Sequence, residues 1–151
     1  LIEAGVRWGV PSLTGLYFLG GIAPPLFAQA GVGELAKSVS LLYAHFCHQI
    51  PERSFVINGV QFGFCARCTG FYGALFAASL LLSLLPRPVP PTWKIALTLL
   101  IPITLDFGFD LSASLPYPNI FRMATGLVGG LGIVLLLFPW FLAAVVRHRI
   151  P

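Results

Sequence analysis

An all-α, polytopic membrane protein is what this sequence predicts, and three observations predict it. Only 9% of its residues are charged, 57% are hydrophobic and the mean hydropathy is +0.88, against roughly 25% charged in a soluble domain. Four apolar stretches each reach the roughly 20 residues a helix needs to cross a bilayer. The polar chemistry is concentrated: all three cysteines and two of the three histidines fall within residues 45–68. A single transmembrane domain over residues 1–151 accommodates all of this.

The first span is expected at about residues 9–30, with Pro24-Pro25 breaking it near its end. A cleavable signal is not expected, because an apolar run over 11–30 is too long for an h-region and its flanks are wrong. In residues 31–46, Val32, Leu35, Ala36, Val39, Leu42 and Phe46 recur at helical spacing, which predicts a short interfacial helix. A Cys/His-rich loop follows over 45–68. The second span is expected at about 65–85, and the proline-rich run 86–91 is a stiff turn. The third span follows at about 93–112. The fourth, at about 119–146, is capped by Asn119 after Pro116 and Pro118. Gly126-x-x-x-Gly130, and Gly70 with Gly73, predict close helix contacts.

Four spans put both termini on one face, together with Arg7, Arg87, Lys94, Arg147 and Arg149; Lys37, Arg53, Arg67 and Arg122 fall on the other. The positive-inside rule then places the termini in the cytoplasm and the Cys/His loop on the outer face of the plasma membrane. Trp8, Trp93 and Trp140 all fall toward the termini, as an interfacial belt requires, and His148 between Arg147 and Arg149 belongs to the cytoplasmic anchor. The net charge of +4 is scattered, so it reads as topology and not as a nucleic-acid surface.

The same topology gathers Cys47, His48, Arg53, Cys65, Arg67, Cys68, Asp106, Asp110, Asn119 and Arg122 at one end of the bundle. Cys65-x-x-Cys68 at a helix start, with Cys47 and either His48 or His45, makes a set of three thiols and one imidazole suited to tetrahedral zinc. A disulfide in an oxidising compartment and three inert buried thiols are the alternatives. Asp106 and Asp110, four residues apart, share a helix face and need cationic partners within a membrane. Arg122 is the nearest candidate partner, and Asp106 is expected to be the deeper and more important carboxylate. Arg53, in the loop after Pro51, is expected to lack a full carboxylate partner and to face a cavity suited to an anionic group.

The run Cys47-His48-Gln49 … Pro51 … Arg53-Ser54-Phe55, then Cys65-Ala66-Arg67-Cys68-Thr69-Gly70 … Tyr72-Gly73, resembles the DUF2085 family of small prokaryotic membrane proteins. The resemblance continues through Asp106 and Asn119-x-x-Arg122-x-x-Thr125-Gly126. It departs at Asp110, where the family pattern implies an amide, usually glutamine. It implies membrane location and importance of the motif, and no particular reaction.

Three functions follow. In the first, Cys47, His48, Cys65 and Cys68 hold zinc, Asp106 handles protons, and Arg53, Arg67 and Arg122 bind an anionic group of a lipid- or quinone-sized substrate. In the second, Cys65 and Cys68 exchange thiol and disulfide with Cys47 resolving. In the third, the chain is a non-catalytic accessory subunit of a larger, energy-converting membrane complex. The partners implied are the lipid bilayer and, for the third function, other membrane-protein subunits.

Overall fold

The computed structural model describes residues 2–85, 93–112 and 117–147. The proline-rich turn at 86–91, Pro116, and the basic residues His148 and Arg149 lie outside them. Helix α1 (Ile2–Ile22) begins earlier than the expected first span and stops at Ala23, where Pro24 opens a separate helix, α2 (Pro24–Gln29). Proline at the first position suits such a restart, since its missing N–H has no partner there in any helix. Helix α3 (Gly33–Ala44) occupies the segment expected to be helical, burying Ala36 and Tyr43 and leaving Leu35, Leu41 and Leu42 exposed.

The interval expected to be a loop contains a hairpin. After a 3-10 turn at Pro51–Arg53, strand β1 (Ser54–Ile57) pairs antiparallel with β2 (Val60–Cys65). Asn58 and Gly59, with φ of 50° and 78°, make the two-residue turn, the positive-φ pair that a type I′ hairpin demands. Ser54 stands opposite Cys65. That register brings Arg53, just before β1, beside Arg67, just after β2.

Helices α4 (Ala66–Leu84), α5 (Trp93–Ser112) and α6 (Asn119–Arg147) complete the chain. Helix α1 runs antiparallel along α4, with Phe18 against Gly73, Phe76 against Gly15 and Thr14 hydrogen-bonded to Ser79. At its far end Arg7 donates through Nε to the Ser83 carbonyl at 2.6 Å and through Nη2 to that of Leu85, satisfying acceptors that end α4. Helices α4 and α6 run parallel with backbones in contact: a Cβ at Gly70 would strike the Met123 carbonyl, and one at Gly126 the Arg67 carbonyl. Helix α5 packs on α6, where Ile103 lies over Gly129.

Among the described residues two helices, Ala66–Leu84 and Asn119–Phe141, are long and apolar enough to cross a membrane, rather than the four expected. The other two expected helices are present and, on average, as apolar as α4. Helix α5 carries Lys94, Asp106 and Asp110, and α1 carries Arg7, Ser12 and Thr14 among several glycines.

Candidate metal centre

The three cysteines come together where β2 passes into α4. Cys65 is the N-cap of α4 and Cys68 sits one turn in, so both sulfurs face the same side. Cys47 reaches them from the segment after α3. The Sγ atoms of Cys47, Cys65 and Cys68 all lie within 4.8 Å of one another. The Cys65 backbone N–H donates to Cys47 Sγ at 3.1 Å. All three thiols are free, so the disulfide alternative is not what this structure contains.

Local chemistry fixes the protonation order. The S–H groups of Cys65 and then Cys68 donate to Cys47, and backbone N–H groups add to them, lowering the Cys47 pKa to about 2 against the opposing effect of burial. Cys65, as a donor in that bond, is held above the usual thiol value. Cys47 is therefore the most readily ionised thiol of the three.

The segment that delivers Cys47 is pinned by two glutamines. Gln49 takes a left-handed backbone, φ 48°, and its amide donates to the carbonyls of Ser40 at 2.7 Å and Gly63 at 2.9 Å. Gln61 donates to the Gln49 carbonyl at 2.7 Å and to Ser54 Oγ at 3.1 Å. Sequence reading missed these clamps, although Gln49 lies inside the motif. Tyr43, Cys47 and Phe64 form a buried core against which Tyr17, Cys65, Cys68 and Tyr72 pack. Phe64 is fully buried and its ring lies where a Cβ at Gly21 would sit.

His48 does not join. Adjacent to Cys47, it is exposed and stands outside the three-sulfur group. His45 is exposed too, its Nδ1–H directed at the carbonyls of Leu41 and Leu42 at 3.2 and 3.3 Å. The expected set of three thiols and one imidazole is thus a set of three thiols alone among the described residues.

On the opposite side of the first turn of α4 lies the ion-pair cluster. Arg67 Nε meets Asp106 Oδ2 at 2.5 Å and its Nη2 meets Asp110 Oδ2 at 2.5 Å. Asp110 also holds Arg53 at 3.2 Å and Arg122 at 3.4 Å. Asp106 further accepts from the Tyr117 hydroxyl and from Thr125 Oγ1, the latter at 2.8 Å. The Arg122 guanidinium lies 4.1 Å from the Tyr117 ring and donates to the Tyr117 carbonyl at 2.7 Å.

Three expectations change here. Arg53 has a carboxylate partner, because the hairpin register carries it to the start of α4. The two carboxylate side chains are equally buried, 5% and 6% exposed, and Asp110 rather than Asp106 gathers all three arginines. Asn119 is not a side-chain cap: its amide donates to the Ser54 carbonyl at 3.2 Å and its Oδ1 has no hydrogen-bond partner. Glu52 is exposed and joins no ion pair among the described residues.

The chain is thus predominantly helical, with two helices among the described residues long and apolar enough to cross a membrane and a thiol-rich site, the cysteine triad, beside an Arg/Asp cluster at their shared end. The chain belongs to the family described as "Predicted membrane protein (DUF2085)", whose model matches residues 47–136. That interval starts at Cys47 and takes in both clusters. An uncharacterized protein of Methanothermobacter thermautotrophicus is 35% identical over 99 residues, 65% of this chain and 89% of its own length. Another, from Methanocaldococcus jannaschii, is 28% identical over 135 residues, covering 83% of this chain and 86% of its own. No solved structure matches.

Proposed function

We propose that this protein is an integral membrane protein whose Cys47, Cys65 and Cys68 hold a thiophilic metal ion, zinc foremost, at one face of a four-helix bundle. The observation that carries this is the triad itself: three sulfurs within 4.8 Å from two separate segments. Zinc–sulfur bonds of about 2.3 Å put tetrahedral sulfurs about 3.8 Å apart, so closure onto an ion needs a movement of about 1 Å or less. The donor set is soft and includes a readily ionised thiol, which favours zinc over hard cations.

In this reading α1 and α5 lie in the bilayer beside α4 and α6, their polar groups turned onto those helices. The exposed Trp8, Trp93 and Trp140 sit in the interface on the cytoplasmic side, and α3 lies along the outer surface. The Arg53, Arg67, Arg122, Asp106 and Asp110 group acts as a clasp that holds the triad's platform together. Asp106 already accepts from Arg67, Tyr117 and Thr125, which supports that role over general-base chemistry.

Elemental analysis of the detergent-purified protein, with a parallel thiol count after denaturation in chelator, tests the proposal. The expected result is roughly one zinc ion per chain and all three cysteines reactive. Metal-free protein with two thiols missing would instead favour the thiol–disulfide reading. Stoichiometric copurification of large membrane subunits with neither signature would favour an accessory subunit.

A further inference from the structure

Arg67 belongs to two sites at once. Its backbone lies in the first turn of α4, between Cys65 at the N-cap and Cys68. Its guanidinium, on the other side of that turn, meets Asp106 and Asp110 of α5 at 2.5 Å each. Its carbonyl lies against Gly126 of α6, so close that an added Cβ there would strike it. A shift of the turn that carries the two thiols therefore reaches both α5 and α6.

The hairpin makes a second, separate connection. Ser54 stands opposite Cys65 in the β1–β2 register, and its carbonyl accepts from the Asn119 amide, at the start of α6, at 3.2 Å. Arg53, one residue earlier, holds Asp110 at 3.2 Å. The same hairpin carries the Cys47 segment: Gln61 donates to the Gln49 carbonyl at 2.7 Å, and Gln49 donates to the Gly63 carbonyl at 2.9 Å. All three thiols are thus mounted on one platform, made of the Cys47 segment, the hairpin and the first turn of α4. That platform docks on the ends of α5 and α6 through Arg53, Arg67 and Asn119.

From this arrangement we infer that metal occupancy of the triad and docking of the α5 and α6 ends on the platform are linked, each strengthening the other. The inference rests on the metal reading above and adds a regulatory consequence to it. Sulfurs within 4.8 Å of one another close to about 3.8 Å on a tetrahedral ion, and that closure ties Cys47 to the turn that holds Arg67. Ordering the platform once, around an ion, removes freedom that Arg53, Ser54 and Arg67 would otherwise lose on docking. The sign of the linkage is therefore positive. Whatever factor docking adds to metal affinity, the metal adds to docking, because binding equilibria are reciprocal. The ends of α5 and α6 then sense whether the triad is filled.

The test uses the full chain in detergent with cobalt(II) as the probe, read by sulfur-to-cobalt charge-transfer bands and by amide hydrogen exchange. Asp110→Asn is expected to weaken cobalt binding roughly fivefold or more, the lower end of usual couplings between sites. Ser83→Ala, about 22 Å along α4 from Cys68, loses hydrogen bonds to the Arg7 and Ser79 carbonyls and is expected to bind cobalt as wild type does. In wild type, cobalt is expected to slow exchange over residues 104–110 and 119–126 as well as over 45–70. That measurement decides alone if Asp110→Asn does not fold. Wild-type affinity in Asp110→Asn, or protection confined to 45–70, overturns the linkage and leaves the metal reading standing. Equal weakening in Asp110→Asn and Ser83→Ala would mean that affinity follows overall stability, which overturns it too. Wild-type protein with three free thiols that takes up no cobalt overturns the metal reading itself, and the inference falls with it.

Discussion

Arg67 and Asp110 meet through Nη2 and Oδ2 at 2.5 Å, while the Nε of the same guanidinium reaches Asp106 at 2.5 Å. One arginine thus bridges two carboxylates a helical turn apart, and it does so from the start of α4. Asp110, shared by Arg53, Arg67 and Arg122, is the hub of that arrangement.

Replacing the hub is therefore the most damaging conservative change in the cluster. Asp110→Asn is expected to lower stability by about 3–5 kcal/mol, because buried Arg122 and the half-buried Arg53 and Arg67 lose the charged partner they share. Asp106→Asn is expected to cost the same or less, since the remaining oxygen still accepts from one of its two hydroxyl donors, Tyr117 on Oδ1 or Thr125 on Oδ2. Thermal unfolding in detergent measures both, and unchanged midpoints would mean that the cluster is solvated.

The α4–α6 contact makes a second prediction. A methyl group at Gly126 meets the Arg67 carbonyl, backbone that has no rotamer to yield. Gly126→Ala is expected to destabilise by about 1–3 kcal/mol, the usual cost of overpacking. Gly108→Ala is the control, because nothing lies within 4 Å of the Cβ it would add.

Gln49 offers a third. Gln49→Ala removes two donors from the carbonyls of Ser40 and Gly63 while keeping the strained φ of 48°. A loss of about 1–3 kcal/mol is expected, together with faster reaction of Cys47 with a thiol reagent as its segment loosens. Gln49→Glu, which cannot donate, is expected to behave like alanine. Wild-type reactivity in both variants would show that the clamp does not hold Cys47.

The triad's protonation makes a fourth. With Cys47 already a thiolate and Cys65 and Cys68 donating to it, zinc binding at pH 7 is expected to release about two protons, not three. Calorimetry in buffers of different ionisation enthalpy reads that number. The sign for stability follows: the Cys47 pKa falls from about 8.5 in the unfolded chain to about 2 in the fold. Its contribution is complete above pH about 8.5 and declines as pH falls toward 2. A release of three protons would put Cys47 in the protonated state.

Much of this could be read from the sequence, for reasons that also explain what could not. The helices announced themselves because apolar length and Pro24 are local signals. The meeting of Cys47, Cys65 and Cys68 followed from topology. The hairpin went unread although its signal was present: Asn58-Gly59 between Val56-Ile57 and Val60 is a strong turn pattern. His48 stands apart from the triad because adjacency to Cys47 is not orientation, and neighbouring side chains diverge. The partners of Asp106 could not be read, since Tyr117 and Thr125 are ordinary residues until α6 is placed against α5. The depth order of Asp106 and Asp110 held for the residues as a whole, Asp106 buried and Asp110 half-buried, but not for their side chains. Distance along a helix does not measure burial once Arg53 has been folded over its end.

Helix α5 owes its place to its neighbours, and that bears on how the chain is made. With Lys94, Asp106 and Asp110 among its twenty residues, it is a poor candidate to settle in a bilayer unaided. Of its two strongest counter-charges among the helices, Arg67 is synthesised before it and Arg122 after it. During synthesis α5 emerges with Arg53 and Arg67 already made, and the third guanidinium, that of Arg122, arrives only with α6. In the proposed four-helix arrangement, insertion of α5 is therefore completed by α6, from behind. A nascent chain halted ahead of Asn119 would leave α5 waiting at the membrane surface.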